Sequence, residues 1–249
     1  GIDSSLVVSL MQAQSSKPIQ TFTVGFQETK YNEADHARQI AAYLGTDHTE
    51  LFMTTSQVQS IIPKLPILYD EPFADASQIP TFLISEFARQ HVTVALSGDG
   101  GDELFGGYNR HVFTKKVQAW LPFIQSLGRF LPKEMKFLSF VPNAEKMIHV
   151  FQSKTQQQFY KTLLAQWQKP DLLLPDIQPY DNTHWPKDDL VPDLVDKIRY
   201  ADTMGYLVDD VLVKLDRATM GVGLESRVPL LDHRIVTWAW QQPYSIYQG

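Results

Sequence analysis

The run Val92-Thr93-Val94-Ala95-Leu96 leads straight into Ser97-Gly98-Asp99-Gly100-Gly101-Asp102-Glu103. An unbroken apolar run of this length is the form taken by a strand buried on both faces, and such strands belong to parallel sheets covered by helices. The glycine-rich turn after it lets backbone N–H groups approach a ligand closely. Upstream, helix and strand signals alternate. Residues 3–14 read as a helix opened by Asp3, Ser4 and Ser5, and residues 19–26 as a strand of β-branched and aromatic residues. Residues 32–44 repeat apolar positions at helical spacing and end on Gly45, His48 to Phe52 reads as a short strand, and Ile79 to Arg89 as a helix. This alternation predicts an α/β fold with a doubly wound parallel sheet. Ligands in such sheets sit at the carboxyl ends of the strands, where residues 1–5 and 97–107 both fall.

From about residue 108 the pattern changes. Residues 108–168 look helical, residues 170–192 carry Pro170, Pro175, Pro179, Pro186 and Pro192 in an irregular excursion, and residues 193–240 return to helical patterns. The expected division is an α/β part over 1–110 and a mostly helical part over 111–249.

Composition narrows the function classes. The chain has 249 residues and a formal net charge of -6, the wrong sign for a nucleic-acid footprint. It has no cysteine, which excludes disulfides, thiolate metal sites and a cysteine nucleophile within these residues. Zero cysteine fits a cytoplasmic location. No apolar run approaches a membrane span, and the first residues do not form a signal peptide. Without an initiating Met, the sequence reads as a piece of something longer.

Two short stretches carry chemistry. Three carboxylates, Asp99, Asp102 and Glu103, crowd the turn after the apolar run. They would repel a bare polyanion. They make sense beside phosphates if Mg²⁺ lies between, because Mg²⁺ takes oxygen ligands and commonly one or two protein carboxylates. A solvated acidic turn is the plain alternative. Gly1-Ile2-Asp3-Ser4-Ser5 taken alone is explained by ordinary helix capping. Its functional reading is a helix start that binds pyrophosphate, with Asp3 on a metal.

Together these stretches resemble the asparagine synthetase family of ATP pyrophosphatases. That family carries a Ser-Gly-Gly-x-Asp-Ser loop, the PP-loop, and Gly1 to Ser5 matches it from its second glycine. Ser97 to Tyr108 is similar to the family's second loop. Phe22 to Phe26, Asp70 to Asp75, Leu215 to Met220 and Leu224 to Asp232 also match, in order. The resemblance implies ATP and Mg²⁺ as cofactors. It implies ATP contacts from Asp3, Ser4, Val24, Gly25, Ser97 and Gly98, with metal-linked carboxylates at Asp3 and Asp102. It places Asp99, Asp102 and Glu103 in the catalytic loop, with Asp99 where other members have Glu. Asp70, Glu71 and Asp75 would flank the substrate.

The implied reaction is adenylation of a carboxylate, aspartate first among candidates, followed by amide formation with ammonia from glutamine. Bacterial aspartate-using members carry Thr-Thr and Arg where this chain has Phe73, Ala74 and Ala76, which makes aspartate less secure than ATP. A relative acting on another acid and a non-catalytic nucleotide-binding module are the competing readings. The implied partner is a covalently linked N-terminal glutaminase domain, with neither nucleic acid nor membrane. The oligomeric state is open, a homodimer among the options. The PP-loop's first residues, the strand before them and the family's catalytic lysine fall outside the chain, and that lysine is not assigned to Lys214. The isolated piece is expected to be inactive, with apolar surface and strand edges exposed. For Asp216, Arg217, Glu225, Arg227 and Asp232, an ionic network between helices competes with substrate contact.

Overall fold

The computed structural model describes residues 1–26, 34–128, 144–166 and 183–247. In chain order the first elements are α1 (Ile2–Ala13), β1 (Gln20–Phe26), α2 (Ala34–Leu44), β2 (Asp47–Met53), α3 (Thr55–Ile61), α4 (Leu65–Tyr69), α5 (Gln78–Arg89) and β3 (Val94–Leu96). There follow α6 (Gly101–Phe105), α7 (Asn109–Val117), α8 (Leu121–Gly128), α9 (Ala144–Phe151), α10 (Gln156–Leu164) and α11 (Leu194–Ala201). A π-helix over Asp202–Val211 leads to α12 (Leu212–Met220), β4 (Glu225–Arg227) and α13 (His233–Gln241).

Two compact units emerge. The first comprises Gly1–Leu104 and Tyr206–Gln242; the second comprises Phe105–Gly205 and Pro243–Gly249.

In the first unit all strand pairing is parallel, and it forms two separate ladders. β1 pairs with β2 from Gln20↔Asp47 to Phe26↔Met53, and β3 pairs with β4 from Val94↔Glu225 to Leu96↔Arg227. Among the described residues these ladders are the parallel pairing present, and they do not by themselves establish the expected doubly wound sheet. The physical consequence is visible on β3. Its apolar Val94 and Leu96 stay 39% and 40% exposed, where a strand flanked on both edges and both faces would be buried. On α1, Ile2, Leu6 and Leu10 recur every fourth residue and are also exposed, while Val7 is buried.

Met53, Ile61, Phe82, Leu83 and Ala218 make the first unit's core, with Val24, Leu51, Leu68 and Val222 packed against it. β2 ends at Met53, and Thr54 then caps α3 in a reciprocal box. The Gln57 N–H donates to Thr54 Oγ1, and the Thr54 N–H donates to the Gln57 side chain. Helix α5 packs on β1, β2 and α12.

Among its described residues the second unit's regular structure is helical. Leu121, Val150, Phe159, Tyr160, Leu194, Ile198 and Ala201 form its core, with Phe113, Phe151 and Trp185 against them. Beside the core, Asp202 is fully buried. The Arg110 Nε–H donates to its Oδ2 at 2.8 Å, His111 Nε2 donates to the same oxygen at 2.6 Å, and the Tyr160 hydroxyl donates to Oδ1 at 2.8 Å. The helical reading of 108–168 holds over α7 to α10, while 129–143 and 167–182 lie outside the described residues.

Candidate functional site

The site is built where the start of α1 meets the turn after β3. The Ser97 N–H donates to the Arg227 carbonyl, so the ladder with β4 carries the chain to the mouth of the turn. There the glycines are needed for close approach. A methyl group at Gly98 would lie 2.5 Å from Ser4 N and 2.8 Å from Ser4 Oγ. One at Gly101 would fall on the Asp3 carboxylate, 2.7 Å and 2.8 Å from its two oxygens. Only residues without a side chain allow the turn to lie against the α1 terminus at this distance. Residues from opposite ends of the first α/β segment thus share one place: Asp3, Ser4, Gly98 and Gly101.

The electrostatics of that place are strained in one sense. Burial, and then the neighbouring Asp102 carboxylate, push the Asp3 carboxyl above its ordinary value. Among the described residues neither Asp3 nor Asp102 has an ion-pair partner. Ser97 Oγ is buried and has no hydrogen-bond partner. Gly1, the residue before α1, has no side chain to cap the first-turn N–H groups. Two like charges, an idle hydroxyl and open helix-terminal donors form an arrangement that a phosphate with a divalent cation would satisfy. No group of three or more His, Asp or Glu side chains that could hold a metal by itself exists among the described residues. Two carboxylates suit Mg²⁺ shared with phosphate oxygens, since that ion keeps waters and substrate oxygens in its shell.

The other expected residues are distributed differently. Asp99 is half-buried in the same turn. Glu103, one turn into α6, is 1% exposed, so its carboxylate is directed into the protein. Val24 packs against the first unit's core, leaving its backbone as the part able to face a ligand. Gly25 is a packing glycine: a methyl there would lie 2.8 Å from the Phe52 ring and 3.2 Å from Ala34 Cβ.

The Asp70–Asp75 segment is fastened to α12. Asp70 takes a left-handed conformation with φ 62° and pairs with Arg217 at 3.0 Å. Asp75 accepts from Lys214 Nζ at 2.8 Å, and from the Ser77 N–H and hydroxyl at 2.7 Å each. Burial works to raise the Asp75 carboxyl, and these bonds outweigh it, holding it below the ordinary value. Glu71 is exposed. In the tail, Arg227 pairs with Glu225, and Asp232 caps α13 while pairing with Arg234. Of these pairs Arg217–Asp70 joins distant segments, while Glu225–Arg227 and Asp232–Arg234 are local pairs two residues apart rather than the expected network between helices. Sequence reasoning set Lys214 aside; its one signal was position, three residues before Arg217 on the same helical face.

No helix among the described residues is long and apolar enough to cross a membrane. The family model for asparagine synthase matches residues 1–248. The chain is 31% identical over 242 residues to asparagine synthetase [glutamine-hydrolyzing] 1 of Bacillus subtilis, covering 93% of this chain and 38% of that protein. It is 34% identical over 245 residues to the putative asparagine synthetase [glutamine-hydrolyzing] 2 of Methanocaldococcus jannaschii, covering 88% and 44% respectively. A shorter match, 37% identical over 118 residues, joins 43% of the chain to 20% of the asparagine synthetase of Mesocricetus auratus. The chain thus spans less than half the length of these curated relatives. With the family matched along nearly its whole length, the chain belongs to the asparagine synthase family.

Proposed function

We propose that this chain is the ATP-using part of an amide-forming ligase. The observation that carries this reading is the contact of Gly98 and Gly101 with Ser4 and Asp3, which brings two acidic, glycine-containing segments to one place. In the proposed reaction a substrate carboxylate oxygen attacks the α-phosphorus of ATP. The bond to the β-phosphate breaks, leaving an acyl-adenylate and pyrophosphate. Ammonia then attacks the acyl carbon, the bond to AMP breaks, and the nitrogen sheds a proton as the amide forms. A carboxylate is a poor acyl donor because oxide is its leaving group, and adenylation replaces that with AMP.

The chain's own residues supply the setting. The open N–H groups at the start of α1, with Ser4 and Ser97, receive the departing pyrophosphate. Asp3 and Asp102 would hold Mg²⁺, which when bound neutralises charge building on the phosphates. Asp99 lies in the same turn and is the carboxylate available for the proton lost from nitrogen. Val24 and Gly25 offer backbone for the adenine. Glu103, buried in α6, acts as a support of the turn.

In this reading β1–β2 and β3–β4 are two parts of one doubly wound sheet. Ammonia comes from glutamine through a linked glutaminase part, a reading supported by the relatives' names, which call those proteins glutamine-hydrolyzing, and the enzyme works in the cytoplasm. The acid is aspartate, or another acid if the Asp70–Asp75 segment selects differently; the commitment of Asp75 to Lys214 favours keeping that second option.

The test is the Asp102→Asn variant of the full-length protein, given aspartate, glutamine and ATP, with asparagine, AMP and pyrophosphate measured. Losing one of two metal-linked carboxylates is expected to lower turnover at least about 100-fold. Turnover equal to that of the unaltered protein would defeat the proposed role of the two turns.

A further inference from the structure

The acid substrate of such a ligase is an anion, and the site described so far offers it only carboxylates. The first unit must therefore supply a cation from elsewhere. Most of its ion-paired cations are poor candidates, because exposed charge pairs are screened by water and weakly directed. The side chains of Arg38, Lys64, Arg217, Arg227 and Arg234 are 48–79% exposed. Lys214 differs: its side chain is 13% exposed, and its partner Asp75 is 15% exposed.

Its surroundings hold it in one place. Asp75 is fixed by two bonds from Ser77 and offers its other oxygen to Lys214 Nζ. The Tyr69 hydroxyl donates to the Lys214 carbonyl, and burial, then Asp75 and Asp210, push that phenol up to about 12, so it stays a neutral donor. The Tyr69 ring stacks on Phe73 at 4.7 Å, which ties the backbone of the segment to the same point. An ammonium has three N–H donors. Asp75 takes one, and Lys214 remains partly open to solvent.

The topology puts Lys214 at the right end of the strands. α12 leads by a tight turn into β4, whose first residue, Glu225, pairs with Val94 at the start of β3. The carboxyl end of α12 therefore lies at the amino end of these strands. Helix α12 packs along β4, and Lys214 stands about 9 Å back from Met220 along the helix axis. A helix running antiparallel to the strand it feeds would carry Lys214 toward the carboxyl end, where Ser97 and Gly98 begin the acidic turn. The Asp70–Ser77 segment reaches the same end, because it precedes α5, which runs back to feed β3.

We propose that Lys214, oriented by Asp75, is the cation that binds a carboxylate of the acid substrate. This rests on the amide-forming reading above. It makes Asp75 a positioning residue rather than a substrate ligand: three of its roughly four lone-pair sites are taken by Ser77 and Lys214, so its main work is to steer the ammonium. The segment's role in acid selection then passes through Lys214.

The test is acid-dependent exchange of pyrophosphate into ATP by the full-length protein, with L-aspartate, L-glutamate and succinate as probe acids. Lys214→Met alone strands the Asp75 carboxylate and risks misfolding, so the informative form is Asp75→Asn with Lys214→Met, which removes both charges at nearly constant shape. That double variant is expected to melt within a few degrees of the unaltered protein and to keep its KM for ATP. Its KM for the acid should rise about 30-fold, the scale of one lost hydrogen bond to a charged partner. A folded double variant whose acid KM stays within about threefold of normal overturns the inference while leaving the ligase reading intact. An unaltered protein that shows no exchange with any acid overturns both. A purely structural pair would lower stability and leave the ratio of the two KM values unmoved.

Discussion

Asp3 and Asp202 are both acidic residues at the end of a helix, and the protein treats them in opposite ways. Asp202, in the second unit, is fully buried and receives Arg110, His111 and Tyr160. Asp3, in the first unit, is partly buried beside a second carboxylate, and among the described residues no side-chain cation forms an ion pair with it. A buried charge that is fully answered holds structure together. A pair of like charges left unanswered costs stability, and it persists where a ligand supplies the missing counter-charge. The difference separates a structural carboxylate from a candidate working one more sharply than sequence position does.

The largest expected effect tests the structural side. Asp202→Ala would leave a buried guanidinium, an imidazole and a phenol without their common acceptor. A loss of about 4 kcal/mol is expected in equilibrium denaturation of the full-length protein, the scale for breaking a buried pair from one side. A loss below about 1 kcal/mol would show the network to be dispensable.

Next in size is the close approach at the candidate site. Gly101→Ala drives a methyl into the Asp3 carboxylate. Overpacking of this kind is expected to cost about 2 kcal/mol and to remove nucleotide binding, measured by titration with Mg-ATP. Unchanged affinity would mean that the α1 terminus and the turn need not touch for binding.

The smallest effect has the opposite sign. Because the folded Asp3 carboxyl is raised, the folded state holds its proton more tightly than the unfolded chain does. Stability then falls as pH rises from the ordinary carboxylate value through the raised one. Asp3→Asn removes that loss, so the variant should melt slightly higher at neutral pH, by less than about 1 kcal/mol because solvent screens a half-open site. It should also lose activity. Asp75 runs the other way: its lowered carboxyl contributes stability above the ordinary value that disappears as pH falls. A melting curve of Asp3→Asn that matches the unaltered protein at every pH would erase the contrast drawn between the two regions.

Local pattern carried much of this molecule. The helical spacing of Ala34, Ala37, Ala41 and Leu44 is α2, the β-branched run before Gly25 is β1, and Val94 to Leu96 is β3. The three-residue strand β4 escaped, because Glu225-Ser226-Arg227 has neither apolar alternation nor β-branched residues. It becomes a strand only by lying beside β3, with Thr93 and Ser97 completing the ladder through their backbones. The helical stretch 193–240 likewise gave no sign that residues from Tyr206 on return to the first unit.

The sequence alone settled which side chains exist to do chemistry: the acidic turn after β3, the Asp-Ser start of α1, the absence of cysteine. These are matters of residue type and near neighbours, which the linear order contains. Tertiary structure decided which of those carboxylates stay unanswered. Ion pairing depends on distances of a few ångströms between segments far apart in the chain, such as Asp75 with Lys214 and Arg110 with Asp202. Linear order does not encode those distances until the backbone has closed on itself.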